Sequence, residues 1–287
     1  MITTVTLNPC IDKLVTIDKF IYGGLNRIQS SRRDPAGKGI NVAVAYRQIG
    51  GSEVLCTGIN YTKNGYLIEN LLKNLNIPYD FIDVEGEVRT NLKLFDRSTG
   101  EITEINESGY PVPSDIAIKL GEKIKLFAEK SEIVVLSGSV PKGITSTIYR
   151  ELLAQLNGLP VKTILDAEGE LLLNGLEAIP YMIKPNIYEL ETALGKKLNT
   201  HEEIALAGKS FIEKGISFVL ISMGGDGAII VDKNNAFFAP AVPVEVKGTA
   251  GAGDSMVAAA CLALDKKLNA SDMLKYCVAA ATASVSK

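Results

Sequence analysis

Apolar residues along the chain follow two different rhythms. Short runs rich in apolar and β-branched residues recur at Ile2–Leu7, Glu53–Thr57, Ile133–Leu136, Val161–Leu165, Tyr181–Ile183 and Phe218–Ile221. Between them, apolar residues return every three or four positions. Ile40, Val44 and Ile49 form one such face, and Ile68, Leu71, Leu72 and Leu75 form another. A third carries Ile116, Leu120, Ile124 and Phe127, with Ser114 as its expected N-cap. Apolar strands alternating with amphipathic helices predict an α/β fold with a mostly parallel central sheet covered on both faces. In such folds, ligands bind beyond the carboxyl ends of the strands.

Two stretches break the rhythm. Over Leu14–Phe20 and Asn91–Ile105, polar and apolar residues alternate, and "DRSTGE" (96–101) reads as a hairpin turn. Alternation leaves one face buried and the other wet, or covering something. These strands are expected to form a small separate sheet, a lid. The competing arrangement is an antiparallel edge of the main sheet. Farther on, Ala228–Val231 and Ala236–Val246 predict a closing meander that turns at Asn234-Asn235. Gly251–Lys266 and Ala270–Ser286 predict two packed, alanine-rich helices. No internal repeat or interdomain linker interrupts residues 1–287, which are expected to form a single domain.

Composition narrows the function. The chain has 287 residues, a formal net charge of −3 and no long basic block, so neither nucleic acid nor a membrane surface is an expected partner. Its four cysteines (Cys10, Cys56, Cys261 and Cys277) are scattered, which fits reduced thiols in a cytoplasmic protein. Neither a signal peptide nor a membrane span is legible. The single histidine, His201, follows Thr200 and precedes Glu203 with capping-box spacing, which predicts the first turn of a surface helix. A catalytic acid or base is therefore expected to be a carboxylate, lysine or cysteine.

The strongest local signal is "GTAGAGDSMVAAA" (248–260), glycines followed by an acid and a helical run. Helix-start amides are unpaired and carry the positive end of the dipole, so Gly251, Ala252 and Gly253 make a candidate anion hole. Asp254 beside such a hole has two readings. It could cap the helix, or it could be a general base toward a hydroxyl that attacks phosphorus. A second glycine-rich helix start occurs at "DPAGKGIN" (34–41). It lacks the hydroxyl residue of a P-loop and the third glycine of a dinucleotide fingerprint. Asn41, in its first turn, is either a plain helix residue or a group facing a ligand.

"TLNPCID" (6–12), "GKGINVA" (37–43), "LSGSVP" (136–141), "KPNIYELE" (184–191), "SMGGDGA" (222–228) and "GTAGAGDSMVA" (248–258) occur in that order. Together they resemble the ribokinase-like carbohydrate kinases of the phosphofructokinase B branch, over nearly the whole chain. "NPxxD" and "GKGIN" are most similar to the subgroup acting on phosphorylated ketohexoses, the 1-phosphofructokinases and tagatose-6-phosphate kinases.

The resemblance implies a three-layer ribokinase-like domain with a small β-sheet lid from about 12–34 and 88–107, which in the family often pairs two subunits into a homodimer. It implies ATP and Mg²⁺ as cofactors. Asp254 matches the catalytic base, and Gly251, Ala252 and Gly253 the anion hole. Asp12, Gly37, Gly39 and Asn41 fall on the sugar side. Arg27, Lys38, Arg89 and Ser137 match the region holding the sugar phosphate, a task suited to the planar fork of arginine. Lys184, Asn186, Ser222, Gly224, Gly227 and Thr249 fall on the nucleotide side. Asn186 and Glu189 match a site ordering Mg²⁺ through water.

Three departures stand out. Ala36 replaces a glycine before "GKG", Gly248 stands where many relatives carry an acid, and the sequence ends at Lys287 near the expected adenine pocket. The adenine contacts are thus expected to be missing or supplied by other residues. The resulting expectation is phosphorylation of a ketohexose monophosphate to the 1,6-bisphosphate, with fructose 1-phosphate favoured over tagatose 6-phosphate. A kinase for an unphosphorylated sugar and a non-catalytic sugar-phosphate-binding regulator are the rivals.

Overall fold

The structure, a computed structural model, describes residues 1–286. The first part of the chain forms β1 (Ile2–Thr6), β2 (Cys10–Ile17), β3 (Ser30–Ala36), α1 (Lys38–Gln48), β4 (Val54–Lys63), α2 (Gly65–Asn74), β5 (Tyr79–Glu87), β6 (Arg89–Asp96) and β7 (Glu101–Asn106). Then come α3 (Ile116–Ala128), β8 (Ile133–Ser137), α4 (Ile148–Leu156), β9 (Lys162–Asp166), α5 (Gly169–Leu176), β10 (Met182–Ile183) and α6 (Ile187–Leu194). The chain continues through α7 (His201–Ile212), β11 (Phe218–Ser222), β12 (Ala228–Val231), β13 (Ala236–Ala239), α8 (Ala252–Asp265) and α9 (Ala270–Val285).

The main sheet has nine strands in the order β13-β12-β11-β10-β9-β8-β1-β4-β5. It is parallel from β11 to β5, and β12 runs antiparallel to both of its neighbours. Every residue of β1 and β8 is buried, so helices cover both faces of the sheet there. α1, α8 and α9 pack on one another, as do α3, α4, α5 and α6. Of the predicted main-sheet strands, all six are found within two residues of their expected starts. β4 runs on to Lys63, well past the predicted end, and β5 is an addition whose alternating burial hid it from a search for continuous apolar runs.

A separate four-stranded sheet, β3-β2-β6-β7, stands apart from the nine. The edge arrangement is thereby excluded. Pairing places Cys10 opposite Arg89, Asp12 opposite Asn91 and Leu14 opposite Lys93, so these six residues share one face. Val15, Ile17 and Leu94 form a small buried cluster of their own on the other face.

Two local expectations fail. Ser114 does not cap α3, which starts at Ile116 after Asp115 with no side-chain cap bond. Strand β13 stops at Ala239 instead of Val246, because Pro240 and Pro243 cannot donate to a ladder. In α7, Thr200 caps as expected, accepting from the Glu203 N–H, while Glu203 reaches the N–H of Asn199.

The parallel register lines up the carboxyl ends of the central strands. Thr6 pairs with Gly58 and Ser137, and Ser137 pairs with Asp166. The start of α1 is pressed onto this row. The Ile40 N–H donates to Thr6 Oγ1 at 3.0 Å. A Cβ on Gly39 would sit 2.6 Å from both Thr6 Oγ1 and the Val5 carbonyl oxygen, which explains a glycine in a helical first turn. Gly39→Ala is therefore expected to lift α1 from β1 and cost about 2 kcal/mol or more. Gly248→Ala, whose Cβ meets nothing within 4 Å, is the matched control. Thermal melts test this, and equal Tm values for the two variants would contradict the packing argument.

Candidate active site

The two glycine-rich helix starts meet although they lie far apart in sequence. The Asn41 Nδ2 donates to Asp254 Oδ2 at 2.7 Å across 213 residues. Gly37, at φ 150°, precedes α1, and Gly251, at φ 81°, precedes α8. Both backbones favour glycine. Among the described residues, the N–H groups of Gly251, Gly253 and Asp254 donate to no backbone carbonyl, and that of Ala252 makes only a long 3.4 Å bond to Thr249. This cluster of amides can hold an anion.

Beneath the start of α8 lies a buried charge cluster. Asp166, at the end of β9, accepts on Oδ1 from Lys38 Nζ at 3.3 Å and Lys184 Nζ at 3.2 Å. Its Oδ2 has no partner among the described residues. Burial opposes the Asp166 carboxylate, but the two ammonium groups outweigh it and hold its pKa below the usual range. Burial likewise opposes the Lys38 charge, and Asp166, Asp254 and Glu189 reverse that and raise its pKa. A Cβ on Gly253 would stand 3.4 Å from Lys184 Nζ, so the ammonium lies in contact range of the start of α8.

Asp254 is only 7 % exposed. Burial, then the neighbouring Asp166, pushes its carboxyl up to about 6, against the opposing pull of Asn41, Lys38 and Lys184. A carboxylate tuned this way is ionised at neutral pH yet can accept a proton readily.

Two cavities flank this centre. One, of about 440 Å³, is lined by Thr6, Lys38, Arg89, Asn91, Ser137 and Ser139, with Asn8, Asn106 and Glu168 beside them. Arg89 is held there by the Asn8 and Glu107 carbonyls and by Asn91 Oδ1. Ser137 is 1 % exposed and its hydroxyl has no partner among the described residues. The other cavity, about 580 Å³, contains Asn186, Ser222, Gly224, Gly227, Thr249, Ala252 and Gly253 at one end. Its far end is apolar, built from Val242, Val244, Val246, Val278, Ala281 and Val285.

Most of the expected site residues are therefore brought together. Gly39 is a packing residue against β1. Asp12 lies on the lid face but is bonded to Lys93 and Asn91. Arg27 sits in the exposed loop between β2 and β3 and lines neither cavity. Asn186 and Glu189 cap α6 reciprocally, each accepting from the other's N–H at 2.8 Å. The N-x-x-E spacing is thus structural in its own right. Burial raises the Glu189 carboxyl, with the Asn186 N–H, Lys184 and Lys38 pulling the other way. No three acidic, histidine or cysteine side chains among the described residues could hold a metal ion unaided.

Sequence reasoning missed Asp166, which ends an apolar strand at the ligand-bearing edge, and Asn8, Ser139 and Lys93. It also missed the apolar wall. Val278, Ala281, Thr282 and Val285 follow helical spacing on α9, a pattern legible in hindsight.

A mostly parallel α/β domain with a small sheet over the strand ends, and paired cavities meeting at a helix start, is the architecture of a ribokinase-like kinase. A ribokinase from Thermotoga maritima has the same fold, with a TM-score of 0.79, 21% identity and coverage of 100% of this chain and 93% of that one. Residues 5–287 match the pfkB family carbohydrate kinase model, and the chain belongs to that family. It is 34% identical over 285 residues to a 1-phosphofructokinase from Bacillus subtilis, covering 99% of this chain and 92% of the relative. The tetrameric inhibited form of phosphofructokinase-2 from Escherichia coli superposes with a TM-score of 0.93, 28% identity and coverage of 99% and 93%.

The electrostatics can be tested directly. An NMR titration of the Asp254 carboxyl is expected to give a pKa near 6. Asn41→Ala removes a donor to the ionised form, so the pKa should rise. A fall in the variant would contradict the stated balance.

Proposed function

We propose that the protein is an ATP-dependent 1-phosphofructokinase, transferring the γ-phosphoryl group of ATP to the 6-hydroxyl of fructose 1-phosphate to give fructose 1,6-bisphosphate. The observation that carries this reading is the position of Asp254, between a cation-lined polar cavity and a second cavity that runs from helix-start amides to an apolar slot. The family and the 1-phosphofructokinase relatives support it.

In this reading, Lys38, Arg89 and Ser137 hold the phosphate of the acceptor. Arg89 enters the site already oriented, which lowers the entropic cost of binding. Asp12 and Asn41 accept or donate to sugar hydroxyls, and the lid sheet covers them. Asp254 takes the proton of the attacking hydroxyl. The amides of Gly251, Ala252 and Gly253, with Lys184 beneath them, stabilise charge on the transferring phosphoryl group. Asn186, Ser222, Gly224, Gly227 and Thr249 border the nucleotide, whose base occupies the slot between Val242–Val246 and α9.

The residues present fit a Mg²⁺ ion held mainly by water and phosphate oxygens. Glu189 and Asn186, with the unpartnered Oδ2 of Asp166, offer hard oxygen acceptors but no closed cage. When bound, the ion neutralises phosphate charge. Lys38 and Lys184 contribute to the same task.

The relatives named 1-phosphofructokinase favour fructose 1-phosphate over tagatose 6-phosphate. A homodimer through the lid belongs to the proposal, since the lid face opposite Arg89 leaves Ile105 57 % exposed beside Leu92. Four free, buried cysteines suit a reducing, cytoplasmic setting. No described helix is long and apolar enough to cross a membrane.

A coupled assay for ADP release over free and phosphorylated sugars tests the assignment. Fructose 1-phosphate should give the highest kcat/KM, and Arg89→Ala should raise its KM by about tenfold or more. Preference for an unphosphorylated sugar would overturn the proposal.

A further inference from the structure

Lys93 lies on β6, on the lid face that carries Arg89 and Asn91 into the acceptor cavity. Its nearest cross-strand neighbours offer a choice. Glu104 stands directly opposite on β7 and is exposed. The Lys93 ammonium instead crosses to Asp12 on β2, with Nζ 2.6 Å from Oδ2. Both side chains are largely shielded, at 16 % and 21 % exposure. The other Asp12 oxygen accepts from Asn91 Nδ2 at 3.1 Å and from the Cys10 thiol at 3.5 Å.

Asp12 is thereby gripped on both oxygens by groups from its own strand and from β6. A carboxylate offers about four lone-pair directions, so acceptor capacity remains for a ligand. Asp12 adjoins Asn91, which lines that cavity, and an unneutralised carboxylate beside a cavity built for a phosphorylated sugar would repel that ligand. We infer that Lys93 is a positioning residue for acceptor recognition: it neutralises Asp12 and fixes its carboxylate so that the remaining lone pair, on Oδ2, meets a sugar hydroxyl. The inference rests on the proposed sugar-binding role of Asp12. A simple staple between two lid strands is the alternative role for the same pair.

The test measures separate KM values for fructose 1-phosphate and ATP, with kcat and Tm, in Lys93→Met, Lys93→Arg and Asp12→Asn. Lys93→Met should raise the KM for fructose 1-phosphate by about tenfold or more, as expected for losing a shielded charge-assisted hydrogen bond. The KM for ATP should stay within about twofold, since only the acceptor side is perturbed. Lys93→Arg should recover most of the loss, and Asp12→Asn should reproduce it. If Asp12→Asn raises the sugar KM but Lys93→Met does not, the inference fails alone. If neither variant moves the sugar KM, the sugar-binding reading of Asp12 fails with it. A lowered Tm with both KM values unchanged or shifted equally would make the pair a staple and overturn the positioning role.

Discussion

The hydrogen bond between Asn41 and Asp254 is the constraint on which the rest of the site depends. It ties the first turn of α1 to the first turn of α8, and with them the two cavities that those turns border. α1 could not approach so closely with an ordinary side chain at its start. Gly39 lets α1 lie on the backbone of β1, and Gly251, at φ 81°, lets the chain turn into α8. These glycines thus serve packing and chain direction first, and the exposed amides are a consequence.

Charge balance then determines what the junction can do. Asp166, Asp254 and Glu189 share the region with Lys38 and Lys184. Asp166 takes both lysines and stays ionised, while Asp254 is left with an amide donor and a raised pKa. Two carboxylates that differ in this way are suited to different tasks. Asp166 fixes two cations in a setting where unpaired charge would be costly. Asp254 remains free to exchange a proton. Lys38 lines the polar cavity, while Lys184 is buried against Gly253, which lines the other, so one buried carboxylate bridges the ground between them.

Much of this was legible in the sequence, because the strongest signals come from backbone constraints. Glycines before a helical run mark a helix start whatever surrounds it, and both such starts lie where the α/β rule puts ligands. The lid was legible from its alternation, since a half-exposed sheet cannot carry a continuous apolar run. Other features were hidden for physical reasons. Asp166 is a single acid after a strand, and only the parallel register shows that it sits beside Ser137 and faces two lysines. Lys93 reads as a solvated charge until β6 is paired with β2. The valines at 242–246 looked like a strand, because alternation does not distinguish an edge strand from the wall of a cavity, and Pro240 and Pro243 decided it. The Asn186–Glu189 spacing had a local explanation as a capping box that the family resemblance obscured.

The central claim is that Asp254 acts on the proton and not on binding. The most direct measurement compares Asp254→Asn with the native enzyme in single-turnover phosphoryl transfer, alongside calorimetric binding of fructose 1-phosphate and a non-hydrolysable ATP analogue. The account predicts a transfer rate lower by about 100-fold or more, with both dissociation constants within about threefold of native. Near-native transfer in the variant, or loss of binding that accounts for the whole effect, would contradict it.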